Sequence, residues 1–292
     1  MTNRRDFLKQ ASMLAAGGVV GSSILSSCGG SAVPKKHIGL QLYSLRDDIK
    51  ELGIKKVLEF VAQMGYVNLE TAAYANGKLY DTDPAEFKKM VEDLGMKVTS
   101  SHLSHNLTDN RDEDMAWWNK AIEAHAAAGM KYMVMPSSPL KGDNATLDNV
   151  KRYGEYFNEI GMTAATANIE FGYHNHDFEF KNTIDDVPVY DLLLENTNPE
   201  HVFFQNDVYW TQEGGYDPVE YLKKFPQRMK VLHIKDAKAI GASGNMDFET
   251  IFNVAYANGM KDWYVEVEHY DGTPQEDVKK SYDFLNTADY VK

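Results

Sequence analysis

The chain contains one cysteine, Cys28, in 292 residues. No disulfide can form within it, so the fold has to be held by a full hydrophobic core. No Gly-x-Gly-x-x-Gly or Walker-type loop follows any strand-like segment, which removes the usual phosphate cradles of nucleotide-binding sheets. Positive charge is scarce: 30 Lys and Arg stand against 43 Asp and Glu, a net charge of −13. A surface this acidic lacks the clustered basic residues that nucleic acid requires, and its field does not steer an anionic substrate inward. Long apolar runs are missing as well. The modest stretch from Ala11 to Leu25 is short and rich in Ala, Gly and Ser, unlike a stable transmembrane helix.

What the N-terminus does carry is a targeting pattern. Thr2-Asn3-Arg4-Arg5-Asp6-Phe7-Leu8-Lys9 reads as a twin-arginine export signal. Leu25-Ser26-Ser27-Cys28 resembles a bacterial lipobox, with Cys28 as the first mature residue and its point of lipidation. An ordinary secretory signal with a chance cysteine is the plainer alternative. The expected organisation is a signal peptide over 1–27, a flexible tether over 28–36, and one folded domain over 37–292. Loss of Arg4, Arg5, Lys9 and Asp6 with the signal takes away a net +2 and leaves the mature form near −15. The protein is therefore expected outside the cytoplasm, in the periplasm or at the outer membrane or cell surface. It would meet the membrane only through a lipid anchor at Cys28.

The remaining chain, roughly 255 residues, has the usual length of one α/β barrel. Its hydrophobic period alternates between 2 and 3.6. Strands are expected at Ile38–Tyr43, Tyr66–Thr71, Lys97–Ser101, Lys131–Met135, Ile169–Tyr173, Val202–Asn206, Lys230–Ile234 and Trp263–Val267. Helices are expected at Lys50–Met64, from Asp83-Pro84 to Gly95, at Asp114–Ala128, Leu147–Asn168, Val187–Asn196, Pro218–Phe225, Phe248–Ala257 and Pro274–Leu285. Eight strand–helix pairs with apolar strands imply a closed (β/α)8 TIM barrel. An open doubly wound sheet is disfavoured by the missing glycine loops.

In such a barrel the residues just past the strand ends converge on one cleft. Collected strand by strand, they are Gln41, Tyr43 and Arg46; Glu70; His102 and His105; His174 and His176; Asp207; His233 and Lys235; Glu266 and Glu268. Six of the nine histidines lie at or near these ends, which scatter alone would rarely produce. Residues two apart on a strand face the same side, so His174 with His176, His233 with Lys235, and Glu266 with Glu268 can each face the cleft together. Imidazoles and carboxylates from neighbouring strands would hold one divalent ion (Mn²⁺, Co²⁺, Zn²⁺ or Mg²⁺) and leave positions open. Such an ion polarises a ketone, and a nearby His or Glu moves the adjacent proton. Metal candidates are His174 or His176, Asp207, His233 and Glu266; a hydrogen-bonded Asp207–His233 pair is the duller alternative. Catalytic candidates are His174, His176, Glu266, Glu268 and Lys235, the last either anchoring an oxyanion or paired with Asp236 or Glu268. Gln41, Tyr43, Glu70, His102, His105 and Trp210 are assigned to substrate contact. Trp117-Trp118 reads as packing and Glu170 as structural.

The chain resembles the xylose isomerase-like barrels, which include sugar phosphate isomerases and epimerases. The resemblance spans about residues 37–290. It rests on Gly39-Leu40-Gln41-Leu42-Tyr43-Ser44-Leu45-Arg46, Met64-Gly65-Tyr66-Val67-Asn68-Leu69-Glu70, Tyr173-His174-Asn175-His176-Asp177, Asn206-Asp207, His233-Ile234-Lys235-Asp236 and Val265-Glu266-Val267-Glu268. It implies one divalent ion bound by a carboxylate after strand 5, Asp207, His233 and Glu266. Here the strand-5 position is His174, which resembles the inosose dehydratase branch and departs from a two-glutamate epimerase. The implied function is isomerisation or epimerisation of a small carbohydrate, an unphosphorylated keto-sugar or keto-glycoside, through its enol. The alternatives are a lyase that β-eliminates from 3-keto-glycosides and a non-catalytic surface glycan-binding lipoprotein. An endonuclease-like role fails on charge, on export and on missing extra metal ligands.

Overall fold

A computed structural model of the chain describes residues 36–292; the expected signal peptide, Cys28 and most of the tether lie outside the described residues. Eight parallel strands close a barrel: β1 (Gly39–Gln41), β2 (Asn68–Thr71), β3 (Lys97–His102), β4 (Tyr132–Met135), β5 (Glu170–His174), β6 (Val202–Asp207), β7 (Met229–Lys235) and β8 (Asp262–Glu266). Each pairs with its neighbour in sequence, and β1 closes on β8 through Gly39 opposite Tyr264. The strands are buried on both faces because helices cover the outside. This is the (β/α)8 barrel that the sequence implies.

Two apolar assemblies hold it. The larger one lies between the strands and the surrounding helices. A separate cluster of Tyr132, Val134, Phe203, Val231 and Tyr264 fills the barrel interior. Large rings fit there because the strands facing them carry glycine: a Cβ at Gly39 would come within 2.7 Å of the Tyr264 ring, and one at Gly172 within 2.5 Å of the Phe203 ring.

Most elements fall within a few residues of expectation, and the departures have local causes. Gly53, at φ 80 and ψ 153, divides the expected Lys50–Met64 helix into Arg46–Leu52 and Ile54–Met64. Tyr66 lies before β2, with its hydroxyl donating to the Val278 carbonyl and its ring against Tyr282. Two hairpins were not expected. One joins Tyr74–Ala75 to Lys78–Leu79 through Asn76 and Gly77, both at positive φ, the backbone a type I′ turn needs. The other joins Thr183–Ile184 to Val187–Pro188 through Asp185 and Asp186.

The helix Arg111–Ala127 is locked to the barrel by a buried imidazole. His125 Nδ1 donates to the Ala121 carbonyl at 2.6 Å, and Nε2 meets the Ser101 hydroxyl at 3.0 Å. Burial pushes its pKa down to about 4 from 6.5. The unfolded chain protonates below 6.5 and the folded one does not. Its contribution, on the order of 3 kcal/mol, is therefore complete above pH 6.5 and lost as pH falls toward 4. Urea midpoints of the wild type and His125→Gln are expected to differ most near pH 7 and to converge by pH 4.5. A gap independent of pH would contradict this.

Candidate metal centre

Strand ends and ladder register together assemble the site. Asp207 lies opposite His233, Lys235 opposite Glu266, and Gln205 opposite His174. His174, Asp207 and Glu266 are the last residues of β5, β6 and β8, and His233 stands two before the end of β7. All four are buried, and one donor atom of each lies within 4.8 Å of the others. His233 Nδ1 is 3.3 Å from Glu266 Oε2 and 4.0 Å from Asp207 Oδ2.

Asp207 tests whether a cation belongs there. Its Oδ1 accepts from the Trp210 amide at 2.8 Å, capping the short helix Val208–Glu213. Its Oδ2 is buried with no hydrogen-bond partner. An unpaired buried carboxylate oxygen is costly, and a divalent ion among these four donors would satisfy it. Two imidazoles and two carboxylates suit Zn²⁺, Mn²⁺ or Co²⁺. The donor set fits a metal, and Asp207 and His233 are not the hydrogen-bonded pair that the duller alternative proposes.

Beneath the donors lies Glu70, fully buried. Its Oε1 accepts from Gln41 at 2.7 Å and from His233 Nε2 at 2.5 Å. Its Oε2 accepts from Ser100 at 2.6 Å and Gln205 at 2.8 Å, and His102 Nε2 stands 3.1 Å from Oε1. The contact at Nε2 orients the His233 ring so that Nδ1 faces the other donors, as a carboxylate behind a ligating histidine commonly does. The barrel's ladders shift register at two places, Leu69/Glu70 and Phe204/Gln205. Both bring a residue of this network into line.

Charges in the site are strongly perturbed. Burial disfavours ionised Glu70, but His102 and His233 outweigh it and hold the carboxyl well below the usual range. Burial acts likewise on Glu266 and is outweighed by Lys235 and His233. Burial would lower His233, yet Glu70 and Glu266 raise it to about 10. Burial lifts Asp207 to about 7 against the pull of Lys235 and His233. His174 is pushed well below its usual value, first by burial and then by the neighbouring imidazoles, so its imidazole is neutral at pH 7.

Above the donors opens a cavity of about 860 Å³. Tyr43, His102, His174, His176, Glu266 and Glu268 line it, as the strand-end reading anticipates. Of the paired alternatives, His174 and Glu266 join the four-donor set, while His176 and Glu268 stand above it. His176 Nδ1 is buried without a partner. Lys235 bridges Glu266 at 3.4 Å and Glu268 at 3.3 Å. Asp236 instead accepts from the amides of Ala237, Gly241 and Ser243.

Four substrate-contact expectations change. Gln41 and Glu70 do not reach the cavity; both are fully buried and bonded to each other. His105 turns away to Asp114, 3.0 Å from its Oδ1, and stacks on Trp117 at 4.6 Å. Trp210 packs behind Lys235 and His176 instead of forming the wall. Trp117, read as packing, does line the cavity, with Trp118 buried behind it. Tyr74, Tyr80 and Asp81, around the unexpected hairpin, line it too. The Asn76-Gly77 dipeptide was the available signal for them. Gln205, which the sequence reading did not assign, bonds His102 at 2.7 Å and His174 at 3.2 Å; its place two residues before Asp207 on one strand marks the same face.

A family model described as xylose isomerase-like TIM barrel matches residues 58–288. A crystal structure of a sugar phosphate isomerase/epimerase from Parabacteroides distasonis ATCC 8503 superposes with a TM-score of 0.81 at 39% identity, covering 88% of this chain and 100% of that one. An inosose dehydratase of Clostridium tetani is 25% identical over 267 residues, 76% of this chain and 86% of its own. The IOLI protein, crystallised with a bound zinc atom, shares the fold at 16% identity and a TM-score of 0.66, over 87% of this chain and 98% of its own.

Two expectations follow. Metal uptake has to displace the proton of His233 and, below about pH 7, that of Asp207. Affinity for Zn²⁺ or Mn²⁺ should therefore rise about tenfold per pH unit above 7 and more steeply below it. Calorimetric titration in buffers of different ionisation heat reads the released protons, and a flat profile from pH 6 to 8 would refute the assignment. Replacing Glu70 by Gln frees the His233 ring and should weaken metal binding by about 10- to 100-fold with the four donors intact. Unchanged affinity in that variant would remove Glu70 from the site.

Proposed function

The chain belongs to the xylose isomerase-like TIM barrel family, and on that premise we propose that it enolises an unphosphorylated keto-sugar or keto-glycoside. Isomerisation or epimerisation is the outcome we favour. The observation that carries the reading is the unpaired Asp207 Oδ2 among four convergent donors at the floor of a cavity. His174, Asp207, His233 and Glu266 would hold one divalent ion. That ion would supply Lewis-acid polarisation of a carbonyl and its neighbouring hydroxyl.

The chain's own residues account for the proton. Glu268 and His176 reach the cavity above the donors, and either can take the hydrogen from the carbon beside the ketone. Lys235, only 1% exposed, places its ammonium beside Glu266 and Glu268 and favours negative charge developing on the substrate oxygen. Return of the proton to the other face gives the epimer, and its return to the former carbonyl carbon gives the isomer.

The substrate class follows from charge. Among the described residues Lys50 is the only lysine or arginine lining the cavity, against Asp81, Glu266 and Glu268, a poor seat for a phosphate dianion. The export signal and lipid anchor read from residues 1–28 support the same choice, because phosphorylated sugars are scarce outside the cytoplasm.

A second reading, a lyase, is favoured by one residue. His174 stands where an epimerase of this pattern keeps a second carboxylate base, and without it elimination becomes the simpler outcome. The C–H bond beside the ketone breaks, its electron pair forms C=C, and the β-substituent leaves with the C–O pair. The dehydratase relative is consistent with that chemistry.

Incubating the metal-loaded protein with keto-sugars and keto-glycosides in D₂O tests both readings by NMR. Deuterium is expected at the carbon beside the ketone, with loss of at least ~100-fold in an Asp207→Ala/His233→Ala double variant. A new epimer or isomer supports the first reading, and an enone with release of the β-substituent supports the second. Metal bound tightly with no exchange across the panel would sink enolisation and leave the glycan-binding lipoprotein.

A further inference from the structure

Next to the cleft lies a second hollow, a groove of about 830 Å³ between the Tyr74–Leu79 hairpin and the helix Arg111–Ala127. The two cavities share a wall, since Tyr74 and Trp117 line both. We propose that this groove is a second sugar subsite, so that the substrate is a glycoside of two rings or more, one ring over the metal donors and the next beside Tyr74 and Trp117. The proposal rests on the enolising reading above for the first ring, and the groove itself stands on its own geometry.

Three observations support it. The first is size. Two adjoining hollows of about 860 Å³ and about 830 Å³ offer together far more room than one monosaccharide needs, since pockets of roughly 300–1,000 Å³ already bury a drug-sized ligand. The second is chemistry. Asn76, Glu113, Lys120 and Glu123 ring the groove around the two aromatic side chains. Hydroxyl-bonding groups around an apolar ring face suit a sugar, and the mixed charge suits neither a phosphate nor a lipid chain.

The third is rigidity. Trp117 is only half buried, yet its indole is held on several sides. His105 stacks on it at 4.6 Å with 9° between planes, Tyr74 meets it at 87° and 5.4 Å, and Trp118 at 83° and 5.0 Å. His105 is in turn fixed to Asp114, a buried carboxylate that also accepts from the amide and hydroxyl of Thr108. On the other side Tyr74 leans on the buried His125 ring at 5.0 Å. A surface tryptophan that served only to cover the core would not need this scaffold; a platform that has to meet a ligand ring without reorganising does.

Calorimetry with the purified, metal-loaded protein decides the matter without requiring turnover. The probes are methyl glucoside and the glucose disaccharides maltose, cellobiose and trehalose. At least one disaccharide is expected to bind ten or more times tighter than methyl glucoside. Ala116→Trp, at an exposed position on the groove side of the helix, should fill the groove and cut that ratio at least fivefold; Lys120→Ala serves as a milder second variant, expected to lower it about twofold. Thermal melts check that both fold. No disaccharide advantage, or an advantage untouched in both folded variants, overturns the subsite. Deuterium exchange on a monosaccharide ketone reports separately on enolisation, so either idea can fail while the other survives.

Discussion

The Glu70 carboxylate is the contact on which the rest of the centre depends. Gln41 reaches it from β1, Ser100 and His102 from β3, Gln205 from β6 and His233 from β7. An ionised group this deep would be prohibitively costly alone. Here donors from four other strands surround it, and each gives up freedom of its own in doing so. Gln205 is then positioned to receive His102 and His174, and His233 is turned to present Nδ1. One carboxylate, itself not among the four convergent donors, thus arranges two of them.

Imidazole and ammonium groups hold the buried carboxylates of the site together. His233, raised to about 10 between Glu70 and Glu266, supplies positive charge to both carboxylates, and Lys235 adds its own beside Glu266. This accounts for so many ionisable groups being packed into a region with almost no solvent.

Much of this was visible in the residues before any coordinates. Strand ends rich in His, Asp and Glu stand out against apolar strands, and a period of two says which partners share a face. His174, Asp207, His233 and Glu266 were all among the candidates for that reason. Depth was not visible. Glu70 and Gln41 occupy strand-end positions like those of cleft residues, but two register shifts in the ladder decide which layer a side chain enters, and no sequence period encodes them. His105 and Trp210 were misplaced by loops: the first is captured by Asp114, and the second is folded back by the helix that Asp207 caps. The hairpin at Asn76-Gly77 was legible in its turn dipeptide. It also changed the role of Trp117, since a wall needs something to face.

The aromatic plug in the barrel interior has a consequence for traffic. Tyr132, Val134, Phe203, Val231 and Tyr264 are all buried and close the barrel axis below the polar layer, so the cavity above the four donors does not continue through the barrel. A ligand of that cavity comes and goes on the side of the strand ends, away from the plug. Two ligands drawn to the same four donors would exclude one another there.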